Sequence, residues 1–289
     1  MIEVLASGIL LGGLYALVAL GFVLTFLATR TANFATGELM ALGAVVALGM
    51  VGWDGIPAWL RVTCAVIVMG IAGAIIYRLV IVPFAQTHDD YRWLIATLGL
   101  GMIVVDIILN SQGQAIKKLD YAYSEGFISL GGAGLARQGL IICALAIVLT
   151  LGIAAVMRWT PAGTIVRAVA EDDETAQLMG ISTRLVGYVM YALATAIVAL
   201  GGILWGAQVG VTPSFGVPLM MGAIGVAIIG GLDSITGVLV GGLIYGVVSQ
   251  LGQQLAGPAL GSVAGLLIVL VVLVVRPQGL FGRAIKEKV

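Results

Sequence analysis

Ionisable and hydrogen-bonding side chains are scarce in this sequence and fall in a few short stretches. The longest, TPAGTIVRAVAEDDETAQLMGISTR from Thr160 to Arg184, carries Arg167, Glu171, Asp172, Asp173, Glu174 and Arg184. Within it, Ile165, Val169, Leu178 and Met179 keep part of a helical surface apolar. A second stretch, Asn33-Phe34-Ala35-Thr36-Gly37-Glu38, lies between two apolar runs, and a third is Gly230-Gly231-Leu232-Asp233-Ser234. Asp106 and His88 stand apart from these. Neither joins a nucleophile and an orienting partner at motif spacing, so a membrane enzyme is disfavoured. No glycine-rich stretch ends in Gly-Lys-Ser/Thr, so the chain is not expected to hydrolyse ATP itself. His88 has no ligand set around it, and Cys64 and Cys143 each lie in an apolar run, where they read as small buried fillers. What remains for the polar stretches is contact: docking, capping and the lining of a route.

The elements that must position them are membrane spans. Of 289 residues, 61% are apolar and only 10% charged, with 42 glycines; mean hydropathy is +1.14. Average globular chains carry roughly twice that share of charge, so a soluble fold would lack the polar groups to cover its surface. The first apolar run starts almost at Met1 without a basic leader or cleavage signal and is expected to be a retained span. The runs predict an all-α polytopic membrane protein of about eight to ten transmembrane helices, nine when every run is counted. They are Leu5–Thr29, Leu39–Val51, Leu60–Val82, Leu94–Leu109, Gly139–Met157, Leu185–Gly206, Val217–Gly230, Ile235–Ser249 and Ala259–Val275. Val217–Gly230 and Ile235–Ser249 are short for straight spans and suggest tilted or broken helices in the C-terminal half. Gln250 to Pro258 reads as a polar turn.

Trp53, Pro57 and Trp59 mark an interfacial turn, and Gln86 to Arg92 a compact charged loop. The mixed stretch from Ser111 to Arg137, with Lys117, Lys118, Asp120 and Glu125, is long enough for a small hairpin or a short helix. If the end of the first span is cytoplasmic, Arg30, Arg78, Arg92, Arg158, Arg167, Arg184, Arg276, Arg283, Lys286 and Lys288 lie inside. Arg61, Lys117, Lys118 and Arg137 then lie outside. This asymmetry predicts an outside N-terminus, a cytoplasmic C-terminus, a cytoplasmic 160–184 segment and an extracytoplasmic 111–136 loop. The whole chain, 1–289, is read as one transmembrane domain.

Each polar stretch has a structural and a functional reading. Thr160, Pro161 and Gly163 set up a turn, the acids from Glu171 to Glu174 open a short helix, and Gly180 stops it. The product is a solvated linker helix, or a docking helix that a soluble partner uses to move the spans. Asn33 or Thr36 can cap the helix that follows, with Glu38 in its first turn; alternatively the three line a polar vestibule, where a buried carboxylate needs a partner or water. Gly230, Gly231, Asp233 and Ser234 form a break beside a pathway or gate, or a glycine-rich packing site. Asp106, near a span end, fits a helix-end contact better than a proton-coupling site.

Several of these stretches together resemble permease subunits of bacterial ABC importers for branched-chain amino acids, particularly the LivH-like branch. The likeness rests on Asn33 to Glu38, Arg167-Ala168-Val169-Ala170-Glu171-Asp172, and Ala176-Gln177-Leu178-Met179-Gly180-Ile181. Gly230 to Gly237 and the terminal Arg276-Pro277-Gln278-Gly279-Leu280-Phe281-Gly282-Arg283 extend it over nearly the whole chain. The resemblance implies a bacterial inner-membrane subunit in the lipid bilayer, paired with a second related permease and two cytoplasmic ATPases that bind ATP and Mg. It also implies an extracytoplasmic solute-binding protein and a small solute as cargo, with no cofactor in this chain and no nucleic acid. Arg167, Glu171, Asp172, Ala176, Leu178 and Gly180 fall in what resembles the family's coupling helix. One departure is Thr36, where the family commonly has histidine; relatives of this architecture move urea, short amides and other small organic solutes, so the cargo stays open. An ion-coupled carrier built around Glu38 and Asp233, and a channel, are the rivals from other classes.

Overall fold

The first apolar run forms the central element, α1 (Ile2–Thr29). It is apolar all round, as a helix surrounded by other helices must be. Leu14, Leu17, Leu20 and Leu24 are almost fully buried. The structure is a computed structural model that describes residues 2–51, 55–84, 91–113, 115–117, 119, 126–130, 133–213 and 215–282. Trp53, His88, Lys118, Asp120, Glu125, Arg283, Lys286 and Lys288 lie outside the described residues.

After α1 come α2 (Thr36–Gly49) and α3 (Ala58–Ile76). A π-helical turn, Tyr77–Ile81, leads from α3 into the short α4 (Val82–Phe84). Pro83 has no N–H, and its ring crowds the carbonyl four residues back. Widening the turn, with Val82 N–H bonded to the carbonyl of Tyr77, lets the helix run through the proline. α5 (Arg92–Gln112) is followed by the hairpin of β1 (Phe127–Leu130) and β2 (Ala133–Ala136), which pair antiparallel. Of the two forms expected for this loop, the described residues show the hairpin.

α6 (Arg137–Trp159) leads into α7 (Pro161–Glu171) and α8 (Asp173–Leu178), and then come α9 (Thr183–Val209), α10 (Gly216–Gly230), α11 (Ile235–Ala256) and α12 (Pro258–Val275). Among the described residues, six helices are long and apolar enough to cross a membrane. Thr36–Gly49, Gly216–Gly230 and Leu260–Val275 are shorter apolar helices. The expected polar turn at Gln250 is corrected: α11 continues to Ala256 and is a full-length span. Glutamine is a good helix former, and Gln250 and Gln253 turn toward a cleft described below.

Glycine sets the crossing of α1 and α11. A side-chain carbon built on Gly246 of α11 would lie 2.4 Å from the backbone nitrogen of Gly12 and 2.4 Å from the carbonyl of Gly8. Gly12 meets the carbonyl of Gly242 in the same way, at 2.6 Å. Two pairs of glycines four residues apart thus bring α1 and α11 into backbone contact. The outer faces of α3, α5 and α12 expose Ile67, Ile71, Ile95, Met102, Leu266 and Leu270, surfaces that suit lipid.

α10 is short for a reason. Gly216 at its start packs on Gly37 of α2, and three residues later in α2 the carbonyl of Met40 packs on Gly202. Gly202 lies seven residues, about 10 Å at 1.5 Å per residue, back from the end of α9 at Val209. The chain after α9 therefore turns back into the bundle before α10 begins, and α10 only completes the remaining part of a crossing.

Candidate functional site

Two polar constructions sit at opposite ends of α1. The first is built on the 160–178 segment. Thr160 bends the chain between α6 and α7; its side chain accepts from Gly163 N–H as N-cap of α7, with Pro161 at the first helical position, where a missing N–H costs nothing. Asp172 breaks α7 from α8 and caps the latter, accepting from Thr175 N–H at 3.0 Å and from its hydroxyl at 2.9 Å. Gly180 ends the segment at φ +85°. Val166, Val169, Ala170 and Ala176 are buried against the bundle. Glu171 and Gly180 face outward. Leu178 and Met179 are 88% and 79% exposed. Arg167 is turned back toward the α6–α7 junction, donating to the carbonyl of Met157 at the end of α6 and, at 3.2 Å, to the Thr164 hydroxyl.

The segment is fastened by Arg30, which the sequence offered only as the end of a span. Arg30 closes α1 at φ +53°, and its N–H bonds Phe26 O at 2.8 Å. Its guanidinium donates through Nε at 2.7 Å and also through an Nη to the carbonyl of Ala170 in α7. The other Nη pairs with Asp233 at 2.6 Å. One side chain thus joins the ends of α1 and α7 to the α10–α11 turn. Ser234 caps α11 by accepting from Gly237 N–H at 3.0 Å. Gly231, at φ +99°, adopts a conformation that a side chain would strain.

The backbone of the Gly230–Gly231 break is paired. Gly231 N–H bonds Ala227 O, while Leu280 and Phe281 of the terminal strap donate to Ile229 O at 2.8 Å and Gly230 O at 3.1 Å. A side-chain carbon on Gly231 would meet Gly282 N at 2.5 Å. The strap therefore supplies the donors that the last carbonyls of α10 lack.

The Asn33–Glu38 turn corrects the expected capping. Ala35 is the N-cap of α2, without a side-chain cap bond. Asn33 Oδ1 accepts from Ala35 N–H at 3.1 Å, and the Thr36 hydroxyl donates to Asn33 O at 2.6 Å. Both side chains brace the turn before the helix. Glu38 stands in the first turn, 7% exposed, with Oε2 unpartnered; it lies beside Gly101 of α5. Asp106 accepts from Asn110 Nδ2 at 3.1 Å near the end of α5, an exposed helix-end contact.

The second construction is a cleft of about 820 Å³ between α1, α6, α9, α10 and α11. Glu3, Ser7, Gln208, Gln250 and Gln253 give it polar groups, and Tyr15, Trp205, Phe215 and Leu219 give it an apolar and aromatic floor. Of the polar stretches read from the sequence, the one beginning at Gln250 reaches it, through Gln250 and Gln253; the candidate coupling and gate residues do not line it. A signal was present: Glu3, Ser7, Leu11 and Tyr15 recur every fourth position, which puts them on one face of α1, and Gln250 and Gln253 share a face of α11.

The family model for the permease component of branched-chain amino acid transport systems matches residues 4–275. The chain is 26% identical over 301 residues to the high-affinity branched-chain amino acid transport system permease protein BraD of Pseudomonas aeruginosa, covering 100% of this chain and 98% of that one. It is 29% identical over 301 residues to the corresponding LivH of Escherichia coli, covering 98% and 96%. A fructose import permease protein of Rhizobium meliloti is 28% identical over 244 residues, or 79% of this chain and 65% of that one. The match runs through every helix that builds the cleft and the Arg30 junction: this chain belongs to the branched-chain amino acid transport system permease family.

Proposed function

We propose that this chain is the membrane-embedded permease subunit of an ABC importer and forms the route for a branched-chain or other small neutral amino acid. ATP hydrolysis by partner subunits drives the cycle. A second, related permease, two ATPases and an extracytoplasmic solute-binding protein complete the assembly. The observation that carries this reading is the α7–α8 segment. It is fastened to three other elements through Arg30, yet it presents Glu171, Leu178, Met179 and Gly180 outward. An exposed apolar pair flanked by acid is a surface for a partner's groove. Asp172 and Ala176 shape that surface from within, and Arg167 stiffens it. The ATPases push on this segment, and Arg30 passes the push to α1 and, through Asp233, Ser234 and the Gly230–Gly231 turn, to α10 and α11. Asn33, Thr36 and Glu38 form the turn about which α2 shifts against the start of α10.

The end that carries α7–α8 is cytoplasmic on this reading, and the N-terminus and the 111–136 loop are outside. Arg30, Arg78, Arg158, Arg167, Arg184 and Arg276 belong to that end, against Arg61, Lys117 and Arg137 at the other, the bias expected of a cytoplasmic face. The fructose relative favours a second reading of the cargo, a sugar or another small polar solute on the same machinery.

The test is association with the ATPases. Glu171→Lys combined with Leu178→Asp alters two exposed positions, so the permease should keep its melting temperature while ATPase copurification and solute-stimulated hydrolysis fall at least tenfold. Undiminished association would remove the docking assignment. A solute-binding screen of the receptor, with leucine, urea, acetamide and fructose, separates the cargo readings.

A further inference from the structure

Of the six long spans, α5 is held most thinly by the rest of the chain: 22% of its apolar stretch is buried, against 72% for α1. Thr97, Gly101, Val104 and Ile108 form its buried stripe, and Gly101 lies against the Glu38 side chain of α2. The opposite stripe is bare. Ile95, Met102, Ile103 and Ile107 are exposed, Met102 by 76%, and Gly99 in the same row has open space where a side chain would stand. Asp106 and Asn110, both exposed, continue that row at the three- and four-residue spacing of one helical face.

An apolar row suits lipid, but a carboxylate within it does not. α5 begins at Arg92, and Asp106 stands fourteen residues on, about 21 Å at 1.5 Å per residue, inside a hydrocarbon core of about 30 Å that starts at Arg92. Among the described residues its carboxylate accepts one hydrogen bond, from Asn110 Nδ2 at 3.1 Å, whereas an ionised carboxylate has about four acceptor sites. Ionisable groups in spans face protein or a wet cavity and are paired there. A wet wall would not be flanked by Met102, Ile103 and Ile107. The outer face of α3 supplies the contrast: Ile67, Ile71 and Ile75 are exposed with no charged residue between them, as a lipid-facing surface requires.

Resting on the permease reading above, we propose that the 95–110 face of α5 is the surface on which the second permease packs. The occupant is an apolar helix of that subunit that brings an N–H or O–H donor, from Arg, Lys, Asn or Ser, to Asp106. Gly99 lets its backbone come close, and Ile95, Met102, Ile103 and Ile107 supply the apolar contact on either side. Asn110 orients the carboxylate toward the donor. The face thereby gains a partner that the outer face of α3 does not need.

The full complex, purified through a tag on this chain with the second permease co-expressed, tests this. A benzoylphenylalanine in place of Met102 should photo-crosslink to the second permease, identified by mass, in at least tenfold greater yield than one in place of Ile71 on α3. Asp106→Leu, which a lipid-facing position would favour, should cut the second permease retained on the tagged chain at least fivefold, and Asp106→Asn, which still hydrogen-bonds, by less. Equal retention by Asp106→Leu and wild type, or crosslinks at Met102 to lipid or to a second copy of this chain, overturn the proposal. Should Asp106→Leu fail to insert, the Met102 crosslink, made with Asp106 intact, decides alone. A chain that purifies with its ATPases but never with a second permease sinks the assembly proposed above, and this face with it. A two-permease complex that does not crosslink at Met102 sinks the face alone.

Discussion

Arg30 makes two attachments with one side chain, and their weights differ. Its pair with Asp233 is partly exposed, 38% and 35% by side chain, so screening by water holds its worth to about 1 kcal/mol or less. The bonds to Ala170 O are charge-assisted and engage a carbonyl at the end of α7 that has no following helical turn to bond it. Asp233→Asn should therefore weaken the junction less than Arg30→Ala, which frees the Ala170 carbonyl as well. In detergent, we expect Asp233→Asn to lower the melting temperature slightly and Arg30→Ala distinctly, with solute-stimulated ATPase activity following the same order. Equal losses would mean that the Ala170 contact carries nothing. No pattern in the sequence announces this junction: its partners lie 140 and 203 residues away along the chain. Arg30 at the end of an apolar run reads equally well as a simple cytoplasmic anchor.

At the scale of elements, apolar run length made the long helices legible, because a span must hide its backbone in its own hydrogen bonds. Run length failed where polar residues continue a helix, as with Gln250 and Gln253 in α11; it did mark α10 as short, without showing that the chain doubles back before it. Glycine spacing was legible as permission for close approach, but which glycines use it was not. Gly246 lies between backbone atoms of Gly8 and Gly12 that cannot yield, whereas Gly152 of α6 has open space around it. Gly246→Ala should therefore force α1 and α11 apart at a cost of about 1–3 kcal/mol, the usual range for overpacking. Gly152→Ala should be neutral or stabilise by up to about 1 kcal/mol through helix propensity. Thermal unfolding of the two purified variants checks the contrast, and a Gly246→Ala protein as stable as wild type would show that the crossing is looser than described.

The whole molecule is polar at two ends with different purposes. One end gathers α7–α8, the Arg30 junction and the terminal strap; the other opens the cleft between α1 and α11. Leu178 stands bare at the first, 88% exposed, and Gln253 lines the second. If α7–α8 is the docking segment proposed above, the cleft at the opposite end of α1 should face the other compartment. On the topology proposed above, in which basic residues mark the cytoplasmic face, the α7–α8 end is cytoplasmic. With Cys64 and Cys143 replaced, a thiol at Leu178 should react with an impermeant maleimide only in inverted vesicles or broken cells. A thiol at Gln253 should react in intact spheroplasts. Reactivity of both from one side would place the cleft and the docking segment in the same compartment, and motion at the Arg30 junction could not then exchange access between the two faces of the bilayer.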